Sequence, residues 1–151
     1  MPRDAALRLE AYLPYRLSVA SNRASRWVAR SYETRFGLSI WQWRVIAVLG
    51  GADQLTAQDI ATATAMDKVT VSRAVRALLE NGFVSRKKHD RDGRSALLEL
   101  TGSGRSVYTE IAPDAMRQEA ELLDGFSQTE IDQLTQLLTR LERRADDLAG
   151  D

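Results

Sequence analysis

The segment DKVTVSRAVRALLENGF, residues 67–83, carries the side chains best suited to chemistry. Thr70, Ser72, Arg73 and Arg76 are interleaved with Val71, Ala74, Val75 and Leu78. An ordinary solvated helix face would use Glu and Lys. Arginine forks and short hydroxyls instead suit an anionic, shaped partner: arginine can bridge guanine O6 and N7, and Ser or Thr can bond bases or phosphates. At 100° per residue, Val69, Arg73 and Arg76 share one face at i, i+4 and i+7, opposite the aliphatic arc. Val69 can meet a thymine methyl, and Lys68 in the first turn suits a phosphate. Asp67 is a suitable N-cap, and Asn81-Gly82 ends the helix.

A second cationic feature follows. Ala96, Leu98 and Leu100 alternate with Leu97 and Glu99, the period of a strand with one apolar face, and Phe83-Val84-Ser85-Arg86 is its antiparallel partner. The charged link KKHDRDGRS makes a solvated hairpin tip. Arg91 and Arg94 sit there, where a projecting arginine can enter a minor groove, and Asp92 can aim Arg94 through a charged hydrogen bond. His89 reads as an exposed loop residue.

These groups need elements to position them. Three helix starts use a hydroxyl N-cap three residues before a polar side chain: Ser39 with Gln42, Thr56 with Asp59, and Ser127 with Glu130. Gly37, Gly50-Gly51, Gly82 and Gly125 stand where helices should stop. The helix from Ala57 to about Ala63 is short and rich in small residues, as suits one laid across a nucleic-acid backbone. A first long helix is expected from about Pro14 to about Arg35, with Leu13, Leu17, Ala20, Ala24 and Trp27 as a seam. The last carries Ile131, Leu134, Leu138, Leu141, Ala145 and Leu148 in 3-4 alternation, a stripe that fits either a partner chain or packing within one subunit. Thr101-Gly-Ser-Gly opens another long helix, which Pro113 should kink or break. The fold expected is mainly α (α+β): a helix-turn-helix and β-hairpin flanked by long terminal helices.

Charge and composition bound the function. The 151 residues carry no net charge, but residues 66–95 sum to +4 and residues 110–151 to −7. A basic middle can therefore coexist with an acidic end, and the local field decides what an interface attracts. The chain has no cysteine and one histidine, which excludes disulfides and thiol redox sensing and leaves no His pair for a metal. No Ser–His or His–carboxylate pairing and no phosphate-binding Gly loop appears, so no catalytic residue, metal site or cofactor is expected. No charged-then-apolar leader and no apolar run near 18 residues is present, so neither export nor a membrane span is expected and the cytoplasm is the default. A winged protein-interaction module without DNA binding is the competing class; the retained Arg73, Arg91 and Arg94 argue against it.

Over nearly its whole length the chain resembles the MarR family of winged helix-turn-helix regulators. The matching segments are GLSIWQWRVIAVL (37–49), LTAQDIA (55–61), VTVSRAVRALLENGFVSR (69–86), DGR (92–94) with LELTGSG (98–104), and FSQTEIDQLTQLL (126–138). The resemblance implies a homodimeric repressor on a pseudo-palindromic double-stranded operator, often released by a small aromatic or anionic effector. It makes residues 1–36 and 102–151 a dimerisation region, with Leu13, Leu17, Ile131, Leu134, Leu138 and Leu141 at the seam, and residues 37–101 the DNA-binding region. Trp27, Tyr32 and Trp43, with Trp41 nearby, can line an effector pocket, although aromatics at helical spacing usually serve the core. Arg16, Arg23 and Arg30 can pair with the acidic 110–151 region, face an anionic effector or remain solvated. Two departures stand out. Arg76-Ala77 replaces the Asp-Arg often found mid-helix, and Arg91 replaces the proline that often precedes the wing's Asp-x-Arg.

Overall fold

The computed structural model describes residues 6–89 and 95–150. After a single 3-10 turn at Leu9–Ala11, helix α1 spans Leu13–Val28, with Pro14 in its first turn where no amide partner is lost. The single helix expected to reach Arg35 is interrupted. A 3-10 turn occupies Ala29–Ser31, and the short helix α2 covers Glu33–Phe36. Two causes act together. The Ser31 hydroxyl donates to the Val28 carbonyl at 2.8 Å, competing with the helical ladder, and the change of direction lets Tyr32 reach the core at 1% exposure.

Helices α3 (Ile40–Gly50), α4 (Ala57–Thr64) and α5 (Lys68–Glu80) follow. The capping boxes of α3 and α4 form in both directions, including the Thr56–Asp59 pair, where the short carboxylate still reaches the Thr56 amide at 3.0 Å. Each such cap contributes about 1 kcal/mol. The hairpin strands are β1 (Val84–His89) and β2 (Ser95–Leu100), antiparallel with Val84 opposite Leu100 and His89 opposite Ser95. Leu55 adds an isolated bridge to Leu98 on the free edge of β2. Val45, Ile46, Leu49, Ile60, Val71, Val75, Leu78, Val84, Leu98, Val107 and Ile111 bury together beneath these elements. Each such side chain stabilises the fold by roughly 1.5–3 kcal/mol.

Helix α6 (Gly102–Leu122) begins against the end of α5. The Thr101 amide donates to the Phe83 carbonyl at 3.1 Å, and the Thr101 hydroxyl donates to the Gly82 carbonyl at 2.6 Å. A Cβ at Gly104 would collide with that same Phe83 carbonyl. The expected break at Pro113 does not occur. Pro113 and Thr109, whose carbonyl loses its partner, both lie on the exposed side, where water can substitute. The chain divides into two compact units, Met1–Gln118 and Glu119–Asp151. The second contains the end of α6, a turn at Gly125 and helix α7 (Gln128–Leu148), opened by the Ser127–Glu130 capping box. None of the 21 residues of α7 is buried.

Candidate nucleic-acid interface

The α4–turn–α5 pair is built from local rules. Ala65 ends α4 in the left-handed region at φ 56°, and Asp67 then caps α5 by accepting the Thr70 amide at 2.7 Å. The Thr70 hydroxyl also donates to Asp67, at 2.9 Å. These two bonds, the backbone one first, hold the Asp67 carboxyl below the usual carboxylate range. Val71, Ala74, Val75 and Leu78 then face the core.

The opposite face is open. Lys68, Val69, Ser72, Arg73 and Arg76 are exposed, Val69 at 60%, and no carboxylate among the described residues pairs with Lys68, Arg73 or Arg76. Thr70 differs from its neighbours: it is half-buried and its proton is committed to Asp67, leaving only a lone pair to offer outward. On β1, Arg86, Lys87 and Lys88 are exposed and extend the cationic surface. Arg91, Asp92 and Arg94 lie outside the described residues.

The base of the hairpin holds a group that local sequence patterns miss. Gln54 Nε2 donates to Glu99 Oε2 at 3.1 Å, and Lys87 Nζ stands 3.6 Å from Glu99 Oε1. The hairpin register sets Lys87 diagonally across from Glu99, but Gln54 lies 45 positions away, and only the pairing of Leu55 with β2 brings it there.

The aromatic residues separate into two groups. Tyr32 stacks on Trp43 with centroids 6.0 Å apart, and Trp43 on Tyr108 at 6.4 Å. Tyr108 belongs to this column but was not singled out by the sequence pattern. Its signal was the glycine it needs: a Cβ on Gly50 would collide with the Tyr108 ring. Gly50 is therefore small for contact, whereas the sequence suggested only a stop. Trp27 instead donates its indole N–H to the Gln118 carbonyl at 3.1 Å and lies under the Arg30 guanidinium. The Tyr32 hydroxyl and Gln118 Oε1 are buried without a partner among the described residues. Burial pushes the Tyr32 phenol up, Glu33 adds to the shift, and Arg44 opposes it.

The anticipated seam residues are uncovered to different degrees. Leu13, Leu134, Leu138 and Leu141 are exposed, at 55, 47, 38 and 37%, while Leu17 and Ile131 are half-buried.

A capped helix-turn-helix with an unpaired cationic outer face, followed by a two-stranded wing, defines a winged helix-turn-helix protein of the DNA-binding class. The sequence profile described as the MarR family matches residues 36–95. The uncharacterized HTH-type transcriptional regulator YwoH of Bacillus subtilis strain 168 is 32% identical over 108 residues, covering 70% of this chain and 78% of YwoH. The transcriptional activatory protein BadR of Rhodopseudomonas palustris is 27% identical over 156 residues, 98% of this chain and 89% of BadR. Among solved structures, a MarR/EmrR family transcriptional regulator from Acinetobacter sp. ADP1 superposes with a TM-score of 0.84 at 28% identity, over 93% of this chain and 99% of that one. The chain belongs to the MarR family and is a transcriptional regulator, not an enzyme.

Proposed function

We propose that the chain works as a homodimeric repressor in the cytoplasm. Residues 37–101 read a pseudo-palindromic operator, and residues 1–36 and 102–151 pair the two copies. The observation that carries this is the outer face of α5: five exposed side chains, three of them cations without a carboxylate partner among the described residues. Arg73, Arg76, Ser72 and Val69 enter the major groove, Lys68 takes a phosphate, and Thr70 accepts rather than donates. Arg91 and Arg94 are assigned to the flanking minor groove, with Asp92 aiming Arg94. The uncovered leucines of α7, with Leu13 and Leu17 on α1, support pairing with a second copy, which sets the half-site spacing near one helical turn.

Release by a small aromatic or anionic effector fits the same reading. The Tyr32–Trp43 stack supplies an aromatic wall and the unpartnered Tyr32 hydroxyl a polar contact, with Trp27 as a further boundary. An effector acts only by binding more tightly to the dimer shape that no longer matches the operator. BadR is named an activatory protein, so the sign of regulation is read with a promoter reporter: repression places the operator over the promoter.

Duplex binding tests the assignment. Using a duplex selected from a randomised pool, Arg73→Ala should relax one base preference by about 1–3 kcal/mol. Arg94→Ala should weaken all sequences evenly and lower the salt slope by about 0.9. If both bind the selected duplex as wild type does, the assignment is wrong.

A further inference from the structure

The loop before α4 and both strands of the wing converge on one carboxylate. Glu99 Oε2 accepts from Gln54 at 3.1 Å, and Glu99 Oε1 faces Lys87 at 3.6 Å. One residue earlier on β2, Leu98 and Leu55 exchange backbone bonds of 3.0 and 2.7 Å. Leu55 directly precedes Thr56, the cap of α4. The carboxylate therefore joins three segments: the entry to the helix-turn-helix, β1 and β2.

A two-stranded ribbon is marginally stable alone and twists easily. From Glu99 to Ser95, where β2 begins, is four residues, a lever of about 13 Å at strand rise. A 10° rotation at the base would move the start of β2 by about 2 Å, enough to break a hydrogen bond there. The Leu55–Leu98 bonds fix where β2 lies; the Glu99 side chain resists its rotation. Lys87 is 62% exposed, so its ion pair adds little, and the Gln54 bond does the orienting.

We infer that Glu99 is a positioning residue for DNA recognition, setting the angle of the wing relative to α5 through its bond to Gln54 and without touching DNA itself. The inference rests on the wing contact of Arg94 proposed above, and the experiment separates the two.

Two duplexes are compared at one salt concentration: a long one from the randomised pool, and the same duplex trimmed of the base pairs flanking the recognition-helix sites. The readout is the ratio of the two Kd values. Any uniform gain from removing an acid near DNA cancels in that ratio. Wild type should prefer the long duplex by about tenfold, the scale of one lost base-pair contact. Arg94→Ala should abolish the preference. Glu99→Ala should abolish most of it while binding the trimmed duplex like wild type, and Gln54→Ala should reproduce this from the other side of the bond. Glu99→Gln keeps an acceptor for Gln54 and should restore the preference. If Arg94→Ala loses the preference while Glu99→Ala and Gln54→Ala keep it, the role assigned to Glu99 is overturned. The same follows if those two variants weaken both duplexes equally, since that is a folding effect. An Arg94→Ala variant that keeps the preference removes the wing contact, and the inference with it.

Discussion

Substituting Gly50 by alanine should perturb the aromatic column through a single atom. The added Cβ would stand 2.6 Å from Tyr108 Cζ and nearer still to Cδ2 and Cε2. Carbon atoms in contact prefer about 3.5–4.0 Å, so the ring must retreat by about 1 Å or more. It cannot do so freely, because the ring also stacks on Trp43, which in turn stacks on Tyr32. Overpacking of this kind costs about 1–3 kcal/mol. Against that, alanine is up to about 1 kcal/mol better than glycine in a helix interior, and Gly50 is the last residue of α3, so less is gained. The net loss should be about 1–2 kcal/mol, lowering the Tm by roughly 2–8 °C for a chain of this size. A double-mutant cycle by urea unfolding isolates the cause. In a Tyr108→Ala background the collision is absent, and Gly50→Ala should be neutral or slightly stabilising, giving a coupling of at least about 1 kcal/mol. Equal destabilisation with and without the Tyr108 ring would refute the reasoning.

Other changes test other links. Ala65 adopts φ 56° and ψ 23° in the turn between α4 and α5, a conformation that costs a non-glycine residue about 1–2 kcal/mol. Ala65→Gly relieves it but loses about 0.5–1 kcal/mol to backbone entropy, a net gain of about 0–1.5 kcal/mol, so the Tm should rise by up to roughly 6 °C; a fall would contradict the turn geometry. The Thr70 amide, then its hydroxyl, keeps Asp67 ionised below its ordinary value of 3.8, so that stabilisation is present above this pH and is lost as pH falls through the lower folded value. Asp67→Asn retains a cap without the titrating charge, and should flatten the pH dependence of unfolding below about pH 4. An unchanged acid profile in that variant would show that Asp67 does not contribute to it.

Much of this fold is written in short-range signals. The caps at Ser39, Thr56, Asp67 and Ser127 and the aliphatic arc of α5 are local, so the helices they open and the face α5 buries follow from a few neighbouring residues. The alternation at 96–100 likewise fixes β2. The rest depends on distant partners. Tyr32 ends α1 because it is wanted in the core, and nothing between Pro14 and Arg35 announces that demand. The stop expected at Gly50-Gly51 is where α3 ends, but the second demand on Gly50 comes from a ring 58 residues later. The Glu99–Gln54 bond exists only once Leu55 has found the edge of β2. Pro113 leaves α6 unbroken because its effect depends on whether solvent can reach the released carbonyl, a property of the folded surface.

The junction between Gly82-Phe83 and Thr101-Gly104 has a mechanical consequence. Two adjacent carbonyls of one strand entry are occupied by Thr101, and the next turn of α6 rests on one of them with no room for a methyl group. This is a weld, not a hinge. Tilting α5 against the start of α6 would break both bonds at once, so the two must swing together as a single beam, and any bending has to be taken up elsewhere in the backbone.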